Sequence, residues 1–212
     1  MTQEIKFIPT ERLYADVRST MMPRLESLYS GGITGTGSGH CGSRHFADRY
    51  TEQCEAHINE ITGRRHTFLT TSGTASIQLM LMATGVAPGD EVICTNYSCP
   101  ATVMPIRLLG ATPVFVDLDR HGQQDLAQVA ARVTERTRAV MVTDLYGDCC
   151  DYDQLQAIQV PVLNDSAQSL MTLYRGQQTA AIGDMSIQSF STNKNCPIFG
   201  TYGAISTDDP DT

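Results

Sequence analysis

Positive charge is scarce in this chain. Its 15 lysines and arginines stand against 23 aspartates and glutamates, for a net charge of -8 and a pI near 5.0. An acidic balance of that size argues against non-specific binding to nucleic acid or to an anionic membrane, both of which need a basic footprint. Long apolar runs are missing as well. No stretch approaches the roughly 20 apolar residues of a bilayer-spanning helix, and the N-terminal MTQEIKFIPTERLY has no apolar signal-peptide core. These absences predict a cytoplasmic protein without nucleic-acid or membrane partners. Cysteine is present but unpatterned: the seven cysteines are odd in number and scattered, with no C-x-x-C pair and no Cys/His group at zinc spacing. Neither a disulfide framework nor a metal site is expected. There is no internal repeat and no low-complexity tract.

What is present is enough for a core. The 212 residues are 41% hydrophobic and 18% charged, the balance of a folded domain rather than a disordered tail. Residues 10 to 29 read as a helix with a break at Pro23. SGGITGTGSGHCGS, Ser30 to Ser43, is glycine-rich loop; it lacks the Gly-Lys-Ser/Thr ending of a P-loop, yet is long for an inert connector. Phe46, Tyr50, Cys54, Ile58 and Ile61 recur at helical spacing up to Gly63.

From there strands and helices alternate. HTFLTT, EVICT, TPVFVD, RAVMVTDLY and VPVLND read as strands. GTASIQLMLMATG, CPATVMPIRLL, QQDLAQVAARVTE and the short YDQLQAI read as helices. Alternation with apolar, β-branched strands predicts an α/β fold of three αβα layers around a mostly parallel sheet. Ligands in such sheets bind beyond the carboxyl ends of the strands. The residues to inspect are therefore Ser72, Gly73 and Thr74, the run Asn96 to Cys99, Asp117, Asp144, Asp165 and the loop carrying Lys194.

Three of these stretches make a chemical set. TTSGTAS is a strand end, a glycine and a helix start, so backbone N–H groups with the Ser72 and Thr74 hydroxyls offer an anion site; alone it is no more than an N-cap. VLNDSAQS puts Asp165 just past a buried strand, with Gln168 three residues on. Asp165 is then either a cap or Asx-turn or a carboxylate partner for a cationic ring nitrogen. SIQSFSTNKNCPIFGTYGAIST holds Lys194 in a run otherwise free of charge. Phosphate anchor, acid and isolated lysine, in that order, fit pyridoxal phosphate. A lysine that forms a Schiff base must spend time neutral, and desolvation in a loop otherwise without charge favours that.

The whole pattern resembles the DegT/DnrJ/EryC1/StrS family of sugar aminotransferases, of the aspartate-aminotransferase fold type, from about Ser30 to Asp209. The resemblance runs through TTSGTASIQLML, VAPGDEVICTNYSCPAT, LLGATPVFVDLD, RTRAVMVTDLYGDCCDYDQL, VPVLNDSAQSLMTLYRG and IGDMSIQSFSTNKN. It implies that Lys194 is the catalytic lysine linked to the cofactor, that Asp165 meets the pyridine nitrogen and that Gln168 bonds the ring hydroxyl. Gly73, Thr74 and Ser189 would hold the phosphate, and Cys99 takes the place facing the ring. The family moves an amino group, usually from glutamate, to a keto sugar carried on a nucleotide.

Four positions depart from the family pattern. Cys99 stands where an aromatic residue commonly stacks on the ring, with Tyr97 two residues earlier. Asn164 replaces an acid, Asp144 a histidine, and FGTYGA alters the glycine turn after the lysine. The resemblance divides the chain into an N-terminal helical arm, residues 1–30, and a cofactor-binding large domain, residues 31–212. It also implies that a small C-terminal domain lies outside the chain. The expectation is an assembly, either a homo-oligomer or a complex with a second chain supplying that half, with Ile198, Phe199 and Tyr202 as a sticky patch beside the lysine loop. The alternatives are a partner subunit without activity of its own and a different pyridoxal-phosphate reaction on a sugar-like substrate.

Overall fold

Apolar residues on both sides of short, β-branched strands build the sheet. The computed structural model describes residues 10–30, 44–198 and 200–211. The expected loop through residues 31–43 and Phe199 lie outside them. The strands are β1 (His66–Thr70), β2 (Glu91–Thr95), β3 (Thr112–Val116), β4 (Thr137–Thr143), β5 (Val162–Asp165), β6 (Leu173–Tyr174), β7 (Gln177–Gln178), β8 (Met185–Ser189) and β9 (Gly203–Thr207). Seven of them form one sheet in the order β1-β9-β8-β5-β4-β2-β3. Its ladders are parallel except at β9, which runs antiparallel to both β8 and β1. Since β9 alone is reversed, β1, β2, β4, β5 and β8 all end on the same edge.

Alternate residues sort into separate cores. Val92 and Cys94, Ala139 and Met141, Leu163, Met185 and Ile187 pack with Ile77, Met80 and Leu81 of α3 (Gly73–Ala83) and Ile106 of α4 (Pro100–Leu108). Their neighbours Ile93, Val140, Val142 and Val162 pack instead with Leu126, Val129 and Tyr152. A third cluster joins Ala204 of β9 to Phe190, Leu170 and Ile58 of α2 (Arg44–Thr62). The described residues divide into two compact units within α2, after Cys54. The first unit holds α1 (Thr10–Ser30); everything below concerns the second.

The structure departs from the sequence expectation at several elements. Helix α1 runs through Pro23. The proline removes one intrahelical N–H donor but does not end the helix. QQDLAQVAARVTE is not one helix but two 3₁₀ turns, Leu126–Gln128 and Ala130–Arg132. Leu126 and Val129 are buried, but Val133, the next residue on that face, is 37% exposed. With no core to bury it, the chain turns extended at Val133 toward β4. YDQLQAI forms a 3₁₀ stretch, Tyr152–Ala157. The strand pattern does not announce the small hairpin β6–β7; its turn residues Arg175 and Gly176 both have positive φ, 49° and 86°, as a type I′ hairpin turn requires.

Arg64 fastens the β1 edge. Its buried guanidinium donates to the carbonyls of Ala180, Ile182 and Gly183 and to Asp208 Oδ2, at 2.9, 3.2, 2.8 and 3.0 Å. Beside it a buried line of hydroxyls and amides crosses the strands. Thr67 meets Ser206, Ser206 donates to Gln188, and Gln188 donates to Ser186.

Candidate functional site

The shared edge of β1, β2, β4, β5 and β8 opens on a cavity of about 250 Å³. Ser72 ends the β1 turn and caps α3, its hydroxyl accepting from Ala75 N at 3.1 Å. The first N–H groups of a helix have no intrahelical partner, and Gly73 and Thr74 border the cavity. Gly73 has no room for a side chain: a Cβ there would sit 2.9 Å from Ser189 Cβ and 3.0 Å from Ser189 Oγ. The bare glycine lets the end of β8 close against the start of α3. Gly203 does the same one strand over, where a Cβ would lie 2.5 Å from Ser76 Oγ and 2.6 Å from the Ser72 carbonyl. Glycine, helix start and serine thus form one small corner.

Asp165 ends β5 and is buried. Its Oδ2 accepts from Thr102 Oγ1 at 2.7 Å and its Oδ1 from Ala167 N at 3.2 Å. Burial pushes its carboxyl up from the ordinary range; the Thr102 hydroxyl, the Ala167 N–H and the charge of Lys194 pull against that. Thr143, on the adjacent strand in register with Asp165, also lines the cavity, and its buried Oγ1 has no protein partner.

Gln168 lies on the same wall. Its Oε1 accepts the Tyr146 N–H at 3.0 Å, which leaves the amide nitrogen as the free end of the side chain. Tyr146 is held there with φ at 60°. Lys194 follows a turn closed by its own N–H to the Ser191 carbonyl at 3.0 Å. The next residue, Asn195, donates to the carbonyls of Gln168 and Leu170 at 3.0 and 3.4 Å, tying the lysine loop to the segment after Asp165.

Of the residues singled out in the sequence, Gly73, Thr74, Cys99, Asp144, Asp165, Gln168, Ser189 and Lys194 all line this one cavity. Asn96 and Asp117 do not; they hydrogen-bond each other at 2.6 Å on the surface. Tyr97 is exposed and meets Tyr146 hydroxyl to hydroxyl at 2.9 Å. Asp144 accepts from Tyr152 OH at 2.7 Å, Cys150 N at 3.1 Å and Ser169 Oγ at 3.2 Å. Sequence reasoning passed over Thr102, Thr143 and Asn195. Asn195 had a signal, its place next to the lysine; Thr102 had only its place one turn into a helix. Among the described residues there is no group of three or more metal-ligating side chains, and no helix is long and apolar enough to cross a membrane.

The model of the DegT/DnrJ/EryC1/StrS aminotransferase family matches residues 43–212. The chain belongs to this family. Within it, the chain is 36% identical over 162 residues to UDP-2-acetamido-2-deoxy-3-oxo-D-glucuronate aminotransferase of Pseudomonas aeruginosa, covering 74% of this chain and 45% of that protein. It is 34% identical over 168 residues to GDP-perosamine synthase of Caulobacter vibrioides, covering 77% and 45%. Among solved structures, DesV of S. venezuelae superposes with a TM-score of 0.84 at 28% identity, over 99% of this chain and 55% of that one. The family member thus spans about half the length of the curated relatives it matches.

Proposed function

We propose that this chain forms the cofactor-binding part of a pyridoxal-phosphate-dependent aminotransferase that aminates a keto sugar carried on a nucleotide. The observation behind the reading is one cavity lined by a helix start without a side chain at Gly73, a buried carboxylate at Asp165 and the amine of Lys194. The residues fit that cofactor on three counts. The N-terminus of α3 at Gly73 and Thr74 and the Ser189 hydroxyl share the cavity wall, so backbone N–H and side-chain donors for an anion stand together there. Asp165 is a buried acid with a cation on the same cavity wall. Thr143 offers a buried hydroxyl that no protein group uses.

Bound pyridoxal phosphate supplies an aldehyde that condenses with amines and a cationic ring that withdraws electrons. Lys194 would hold the aldehyde carbon and, once displaced, carry a proton as general base and acid. Asp165 would keep the proton on the ring nitrogen. Gln168, its oxygen already used by Tyr146 N–H, would donate through its amide nitrogen to the ring hydroxyl. Thr74, Ser189 and the N–H groups of Gly73 and Thr74 would bind the phosphate. Cys99, smaller than an aromatic, would leave more room beside the cofactor. The two relatives named above act on a UDP-linked and a GDP-linked sugar by their names, which supports the substrate class; glutamate is the donor the family resemblance implies.

Incubation with pyridoxal phosphate, glutamate labelled at nitrogen and a panel of nucleotide-linked keto sugars tests this. Mass spectrometry should find the label in one sugar product, and no labelled product from any of them would overturn the reading. The same face supports an assembly. Tyr202, on the cavity wall, is 54% exposed, and a second copy or a second chain would cover it. Light scattering over a dilution series should give a mass above one chain; a monomer at every concentration contradicts the assembly.

A further inference from the structure

Thr102 is buried in the first turns of α4, and its hydroxyl lies between two oxygens: Asp165 Oδ2 at 2.7 Å and Ser98 Oγ at 2.8 Å. A hydroxyl has one proton to give. Thr102 donates to Asp165 Oδ2, so in the second contact Ser98 must donate to Thr102. The order Ser98, Thr102, Asp165 is then a directional chain from the half-buried cavity wall to the buried carboxylate. A β-branched residue in a helix has few χ1 choices, so the donor is held in place. The other oxygen, Oδ1, is held by Ala167 N–H at 3.2 Å.

We infer that Thr102 is the positioning residue that keeps Asp165 ionised and its carboxylate fixed in orientation. Nothing else within α4 can do this: Arg107, its only charged side chain, sits in the last turn. Of the other titratable groups on the elements around Asp165, Cys99 before α4, Asp144 at the end of β4, and Lys194 and Tyr202 between β8 and β9 line the cavity; Glu91 and Cys94 on β2, Arg138 on β4 and Cys196 after Lys194 do not, and α3 has none. Of these only Lys194 adds a charge that favours the ionised form, and its pull is weaker than that of the two hydrogen bonds. The consequence for function rests on the cofactor reading above: a neutral Asp165 could not hold a proton on a ring nitrogen, so loss of Thr102 would cripple the acid without touching it.

The test needs no cofactor. In the full protein without pyridoxal phosphate, the Asp165 carboxyl carbon is followed by NMR through a pH titration in wild type, Thr102→Val and Thr102→Ser. A hydrogen bond to a charged group sets the expected size: the midpoint should rise by about one unit or more in Thr102→Val. Thr102→Ser, which keeps the hydroxyl, should restore most of that shift. Ser98→Ala, which removes only the outer donor, should raise the midpoint by less and guards against a Val variant that does not fold. An unchanged midpoint in Thr102→Val overturns the inference, as does an equal rise in Thr102→Ser. If Thr102→Val does not fold, an unchanged midpoint in Ser98→Ala does so. Failure of pyridoxal phosphate to bind would leave all these outcomes readable, and an unchanged midpoint would leave the cofactor reading standing.

Discussion

At the scale of single residues, buried charge sets the constraints. Burial pushes the Asp165 carboxyl up, and the Thr102 hydroxyl, the Ala167 N–H and the charge of Lys194 oppose that rise. Asp165→Asn keeps the shape but not the charge. The expected result is retained cofactor binding with half-transamination by glutamate slowed by about 10²-fold or more, followed by stopped-flow absorbance; an unchanged rate would mean that Asp165 only caps a turn. Asp144 is also pushed up, by burial first, against donors from Tyr152, Cys150 N–H and Ser169. A carboxyl raised in the folded state binds its proton more tightly there than in the unfolded chain. It therefore stabilises the fold at low pH, and that contribution is lost as pH climbs from the ordinary carboxylate range through the raised value. Denaturant titrations should show Asp144→Asn gaining stability relative to wild type over that climb; a difference that does not change with pH would count against it. Arg64 poses the opposite case, a buried cation satisfied by three carbonyls and Asp208. Arg64→Met leaves those acceptors stranded and should cost about 2–4 kcal/mol in a urea unfolding experiment, where a loss below about 1 kcal/mol would mean that water replaces it freely.

At the scale of elements, the site depends on how closely β9 approaches the start of α3. Gly203→Ala would force a Cβ to within 2.6 Å of the Ser72 carbonyl. Overpacking of that kind costs about 1–3 kcal/mol, and it would move the helix start that carries Gly73. Weaker pyridoxal-phosphate affinity from a residue outside the cavity lining is the expected outcome in a fluorescence titration; unchanged affinity would show that the corner tolerates the shift. Much of this was legible in the sequence. EVICT and VPVLND read as strands because strands buried on both faces are continuously apolar, and Lys194 stood out because no other charge was near it. The segment Gln123 to Glu135 misled because its spacing was helical while only Leu126 and Val129 had a core to enter. Gln123 and Gln124 instead spend their side chains on the backbone of Leu145 and Thr143. Thr102 and Asn195 act through contacts across 63 and 27 residues of sequence. No local pattern encodes such a pairing; it follows from which helix packs beside which strand.

At the scale of the molecule, one reversed strand aligns the ends of β1, β2, β4, β5 and β8 on a single edge. Residues as far apart as Gly73, Asp165 and Lys194 meet there in one cavity. The central claim is that this edge holds pyridoxal phosphate on Lys194. Borohydride reduction of the protein saturated with pyridoxal phosphate, followed by digestion and peptide mass mapping, tests it most directly. The account predicts a single reduced adduct on the peptide carrying Lys194, absent in Lys194→Ala. An adduct on Lys6, the other lysine of the sequence, with none on Lys194, would contradict it.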